Sequence, residues 1–232
     1  ALQFFQKALH YEKQLGTKEG CAQILTNWSY YLYHKKLKDY AKALMFYKKA
    51  LAFSDETEAI NIYSNIANVY VERNDYDSAS LYFKKAFSQI KPGASEYDLL
   101  KLPFNEIDQN NINYRVGLVL DKADHALKRY KATSDAVYAE KGIEIYKVAD
   151  KFLDRIRVEQ SEMQSKLFWR SNNRRLYEHA LEACLFTNRI DEAFYFFEKS
   201  RAVLLMDEIN EKRWVGRVNM VKQSQLKRKM LS

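Results

Sequence analysis

Few side chains in this chain have both the type and the spacing to do chemistry. His179 and Cys184 are the nearest His/Cys pair. On a helix a separation of five turns the two side chains about 140° apart, so no thiolate–imidazolium pair forms there. Cys184 instead falls where a small hydrophobe packs between helices. His10, His34 and His125 belong to no His-rich pattern, and no HExxH occurs, which leaves no metal site to nominate. The 6 glycines are isolated, so neither GxGxxG nor a phosphate loop can be written. Acid pairs such as Asp207-Glu208 read as ordinary helix-surface charge. The residues therefore predict no enzyme and no cofactor.

Two polar constellations remain. Asn61, Asn65, Asn68 and Glu72 recur at i, i+4, i+7 and i+11, a polar row on one helix face. An amide both donates and accepts, so such a row suits the backbone of an extended peptide, whereas a merely solvated face is the competing reading. The second runs from Trp169-Arg170 to Arg174-Arg175 and mixes bases with an aromatic, as nucleic-acid sites do. Its alternative is structural, with Trp169 packed between helices and Arg170, Arg174 and Arg175 paired with nearby acids. Charge argues against nucleic acid as the partner. The net charge is +8, yet residues 199–232 hold nine Lys/Arg against three acids, which leaves only +2 on the other 198 residues. A nucleic-acid groove should be basic in the folded body, not at its end.

The elements that position these residues follow from composition. The chain has 232 residues, of which 47% are hydrophobic and 29% charged, enough for one large or two small domains. Only 6 Gly and 2 Pro punctuate it, too few to turn a sheet-rich fold. With 17 Tyr and 13 Phe to fill the gaps between helices, the fold is expected to be all-α, with nine or ten helices. Cys21 and Cys184 are too few for a disulfide framework, which suits a reducing compartment and points to the cytoplasm. No apolar run approaches the ~20 residues that span a bilayer.

A submotif of small residue, aromatic at i+4 and small residue at i+7 appears five times. The copies are Ala1-Phe5-Ala8, Ala43-Tyr47-Ala50, Ala79-Phe83-Ala86, Gly142-Tyr146-Ala149 and Ala193-Phe197-Ser200. About one match is expected from composition alone. The three positions share a helix face, where small residues admit a neighbouring helix and the aromatic fills the groove. The third copy extends backwards into a two-helix unit. Tyr63, Ile66, Ala67 and Tyr70 form the first stripe, Arg73-Asn74-Asp75 the turn, and Tyr76 leads the second helix.

This unit resembles the tetratricopeptide repeat, with seven of eight pattern positions matched and Pro92 one residue late. The copy at 38–53 matches in its second helix, while its first helix (Leu25, Trp28, Ser29, Leu32) carries two extra residues before the turn. Successive copies start 42, 36, 63 and 51 residues apart. The first is a bare second helix whose partner is expected before Ala1. The 63-residue interval is read as a loop over about 91–108 and a long helix from about Glu106 to Tyr130.

A further resemblance lies in Ser165–Arg170, Asn173–Glu178 and Asp191–Ala202 with Leu204-Leu205. It is to the repeat region preceding the caspase-like domain of CHAT proteins. Together the resemblances imply a right-handed α-α superhelix of antiparallel helix pairs over residues 1–211. Residues 212–232 are expected to form a basic helical junction to a further C-terminal domain. In such arrays the first helices line a concave face. The resemblance therefore places Asn61, Asn65 and Asn68 in a groove, with Asn27 at the position of Asn65 one repeat earlier. The implied function is a non-catalytic protein- or peptide-binding module, which in its parent would regulate a caspase-like peptidase in cis. The alternatives are a structural or oligomerising scaffold and a nucleic-acid-sensing helical module.

Overall fold

The computed structural model describes residues 2–102, 112–159, 166–203 and 205. Among them the regular structure is helical and contains no strand. The helices are α1 (Leu2–Leu15), α2 (Lys18–Trp28), α3 (Tyr40–Leu51), α4 (Glu56–Glu72), α5 (Tyr76–Ile90), α6 (Ile112–Thr133), α7 (Ala136–Glu159), α8 (Lys166–Phe186) and α9 (190–203). A π-helical stretch, Ser29–Lys36, continues α2, and a 3₁₀ helix, Glu96–Lys101, follows α5. The chain divides into two compact units, Ala1–Ser165 and Lys166–Ser232.

Local chemistry sets the helix ends. Asp39, Asp55 and Asp75 cap the starts of α3, α4 and α5, their carboxylates accepting from the backbone N–H of Lys42, Glu58 and Ser78 at 3.1, 2.7 and 3.1 Å. Among the described residues four non-glycine turn residues lie in the left-handed region, Lys38, Asn74, Ser134 and Asn188, beside Gly16 and Gly93. After Asn74 the Asp75 N–H returns five residues to Tyr70 O (2.9 Å), and after Asn188 the Arg189 N–H returns to Cys184 O (2.9 Å). These turn residues give the repeat an internal register that side-chain class alone does not.

Against that register one copy of the submotif shifts. The small residue lies five positions after the turn residue at Ala43, Ala79 and Ala193, but Gly142 lies eight after Ser134. The equivalents in α7 are Ala139 and Ile143, so the motif at Gly142-Tyr146-Ala149 is one helical turn late. All five of these α7 residues are buried, in a helix packed on α6, which is why the sequence pattern looks the same. The last copy is corrected differently. In α9 Phe196 is fully buried while Phe197, the expected core aromatic, is 48% exposed.

The two extra residues before the second turn are taken up by the π-helical stretch, whose wider turns absorb an insertion without lengthening the helix. The turn that follows closes wider too, with Asp39 N–H reaching six residues back to Tyr33 O at 2.8 Å. The expected loop after α5 contains the 3₁₀ helix, capped by Ser95 and packed on α7. The expected start of α6 at Glu106 and the junction 212–232 lie outside the described residues.

Within the first unit each helix packs on the next. The first helices also touch in series, α2 on α4 and α4 on α6. Helices α4 and α5 are neighbours, with Ala79, Phe83 and Ala86 at 0% exposure against Ile66 and Ala67, also at 0%. Helix α1 packs on α2, where Phe5 stacks on Trp28 with ring centroids 5.7 Å apart. In the second unit Leu176, Tyr177, Ala180, Ala183 and Cys184 of α8 and Phe196 of α9 are buried.

Candidate functional site

The polar row on α4 meets a second polar row on α6. Measured from the turn residues, Asp121, Asp124, His125 and Lys128 stand where α4 carries Asn61, Ser64, Asn65 and Asn68. Because α4 and α6 lie side by side, the rows interlock. Ser64 Oγ and Asn68 Nδ2 both donate to Asp121 Oδ2 at 2.7 Å. Asn65 Nδ2 donates to Asn61 Oδ1 at 3.1 Å. A charged acceptor shared by two donors is a strong cross-brace, so part of the expected recognition row also joins successive repeats. Asp124 accepts from the Tyr146 hydroxyl at 2.6 Å, which ties the α6 row to α7.

The candidate residues are therefore in different states. Asn27 is exposed on α2, although its equivalent Asn65 is buried. Asn61 and Asn68 are half-buried. In the second unit Arg174 is exposed and pairs with Glu178 at 2.7 Å, one turn on, while Arg175 is half-buried. The side chain of Arg170 lies outside the described residues. Asn27, Asn61, Asn65 and Asn68 all stand on the first helices of one unit, and Arg170, Arg174 and Arg175 on one helix of the other.

At the C-terminal end of α4 the row finishes in a charged cluster. Glu72 accepts from Lys35 Nζ at 2.9 Å and from the Tyr40 hydroxyl at 3.1 Å, and its Oε1 lies 3.2 Å from His34 Nε2. Burial alone would raise the Glu72 pKa, but the bond to Lys35 and the His34 and Lys35 charges outweigh it and hold the carboxyl below its ordinary value. His34, 1% exposed with Nδ1 3.4 Å from the Tyr47 hydroxyl, is shifted down, chiefly by burial. Burial likewise pushes the Tyr47 phenol up.

Sequence reasoning missed Asp121, Asp124 and His34. The two aspartates carry a usable signal, since counting 13 and 10 residues back from the turn residue gives Asn61 and Ser64 in α4 and Asp121 and Asp124 in α6. His34 carries none, because the π-helical stretch that turns it inward alters the phase of the helix. None of these groups is arranged as a nucleophile with its base, and Cys21 and Cys184 are buried and in no disulfide. Among the described residues no helix is long and apolar enough to cross a membrane.

Residues 32–89 match the family model described as Tetratricopeptide repeat, a span running from the π-helical stretch to the last turn of α5. No curated protein matches the chain. Repeats of this kind are in general protein-interaction modules, because stacked helix pairs present an extended surface built from neighbouring units.

Proposed function

We propose that the chain is a non-catalytic recognition module that binds an extended peptide along the first helices of its tetratricopeptide-type array. The observation that carries this reading is the set of polar groups on the neighbouring first helices α2, α4 and α6. Exposed Asn27 and half-buried Asn61 and Asn68 supply amides, and Glu72 and Asp124 supply carboxylates. A peptide backbone laid across these helices presents N–H and C=O groups that such amides satisfy without a conformational change. Asn65 and Asp121 act as positioning residues, holding Asn61 and Asn68 in place.

The test is a peptide selected from a random phage-displayed library on the immobilised chain. Replacing Asn27 and Asn61 by Ala should weaken its binding by about tenfold, since each lost hydrogen bond is worth about 0.5–1.5 kcal/mol. The fold should stay intact, with stability falling by no more than the about 1–3 kcal/mol that the buried Asn65 amide loses with its Asn61 acceptor, since Asn27 is exposed and Asn61 bonds within its own helix. Unaltered affinity would remove the face from consideration.

The resemblance of 165–205 to the region before the caspase-like domain of CHAT proteins supports a second tier. In a longer chain the array would regulate a C-terminal peptidase, with residues 212–232 as the junction. Residues 1–232 alone should then cleave nothing. Proteolysis by this chain would refute the division of labour.

A further inference from the structure

A second surface, independent of the first-helix face, is written into the second helices. Aligned by the turn residues, α3 reads Met45-Phe46-Tyr47-Lys48-Lys49-Ala50 and α5 reads Leu81-Tyr82-Phe83-Lys84-Lys85-Ala86. Helix α1, matched through its own small-aromatic-small motif, reads Gln3-Phe4-Phe5-Gln6-Lys7-Ala8. Tyr47, Phe83 and both following alanines are at 0% exposure, so the lysine pairs project to the opposite side of each helix. Lys7, Lys48, Lys49, Lys84 and Lys85 are all exposed, and none makes an ion pair among the described residues.

The geometry repeats along with the sequence. Lys49 Nζ lies 5.4 Å from the centroid of Phe46, and Lys85 Nζ lies 4.7 Å from that of Tyr82. A ring three residues earlier thus holds each ammonium in the same place in successive repeats. Each Lys is preceded one turn earlier by an exposed apolar residue, Met45 at 42% and Leu81 at 53%. Acids on these helices are few and engaged, Glu12 of α1 accepting from the Thr17 hydroxyl. Helix α3 contains none, and the one acid of α5, Asp77, is bound to Arg129 at 3.0 Å. The series stops at α7, where the equivalents of the Lys pair are Glu144 and the buried Ile145.

We propose that this ladder of ammonium and apolar groups on α1, α3 and α5 docks an acidic polypeptide segment in which carboxylates alternate with apolar side chains. The arrangement favours such a peptide over nucleic acid for two reasons. In α3 and α5 the rings that a base would stack on are half-buried and already face a lysine, which leaves Phe4 of α1 as a single exposed ring where a nucleic-acid strand would need a series. Met45 and Leu81 need an apolar partner, which a phosphodiester backbone does not offer.

The experiment measures fluorescence anisotropy of the full chain with three labelled probes: a peptide of Glu-Leu-Asp triplets, one of Glu-Ser-Asp triplets, and an oligouridylate of equal charge. The Leu peptide should bind most tightly. Changing Lys48, Lys49, Lys84 and Lys85 together to Ala should weaken it by about tenfold or more, as expected when several modest surface pairs are lost together. Circular dichroism should be unchanged, and Lys→Gln at the same four positions serves if the Ala variant does not fold. The double change Met45→Ser and Leu81→Ser should erase the preference for Leu over Ser peptide. Unchanged Leu-peptide binding by the four-lysine variant, a preference that survives M45S/L81S, or oligouridylate binding as tightly as the Leu peptide would each overturn the proposal. Because Asn27 and Asn61 are untouched, the result is separable from the fate of the first-helix face.

Discussion

Replacing His125 by Gln should remove an acid-sensitive term from the stability of the first unit. His125 lies on α6 at 5% exposure, between the ring of Phe83 (centroids 5.4 Å) and that of Tyr76 (5.9 Å). Its Nε2 is 3.2 Å from Tyr76 O, and a carbonyl can only accept, so the neutral ring carries its proton on Nε2. A second proton must go to Nδ1, in a buried setting with Lys122 nearby. Burial first, and then the Lys122 charge, lower the pKa from 6.5 to about 4. Well above pH 6.5 neither the folded nor the unfolded state carries the second proton, and the site exerts no pH effect. Below pH ~6.5 the unfolded chain takes up a proton that the folded chain refuses until pH ~4, so stability falls on acidification across that window. The full difference corresponds to about 3 kcal/mol.

Gln keeps an N–H for Tyr76 O but does not titrate. Chemical denaturation followed by helicity, at a series of pH values from about 7.5 to about 4, should show wild type losing about 3 kcal/mol more than His125→Gln. The difference between the two proteins is the proper readout. Glu58, raised to about 7 by burial and by Asp55 and Glu19, has the opposite sign and cancels in the subtraction. Parallel curves, or an NMR titration of His125 with a midpoint near the unperturbed value, would refute the reasoning.

Other expectations follow from packing. Ala79→Leu or Ala86→Leu should destabilise by about 1–3 kcal/mol in thermal or denaturant unfolding, because both sites are at 0% exposure between α4 and α5. Gly142→Ala should stabilise by up to about 1 kcal/mol, since the added Cβ would meet Ala126 Cβ at 3.6 Å, an ordinary contact, in mid-helix. In the second unit Phe196→Ala should cost about 3–5 kcal/mol and Phe197→Ala about 0.5 or less, the reverse of what the small-aromatic-small motif alone implies. Asp121→Ala should cost about 1–3 kcal/mol by leaving Ser64 and Asn68 without their shared acceptor; no change in the denaturation midpoint would show that the cross-brace is not formed in solution.

The primary structure determined the class of fold and the repeat. Scarce Gly and Pro, helical spacing and the small-aromatic-small motif are local properties, and so are the Asp caps at 39, 55 and 75. They act within one helix pair, which is why the best-matched unit, α4 with α5, was legible residue by residue. Tertiary structure decided what depends on phase and on neighbours. A π-helical stretch absorbs two residues and turns His34 toward Glu72, and no spacing rule for an α-helix carries that information. Ala139, Ile143 and Tyr146 displace the expected motif by one turn because the turn residue Ser134, not side-chain class, sets the start of α7. The asparagine row looked like a free face from one helix alone. Only the approach of α6 brings Asp121 to Ser64 and Asn68, because a hydrogen bond between residues 53 or 57 apart leaves no periodic trace in the chain.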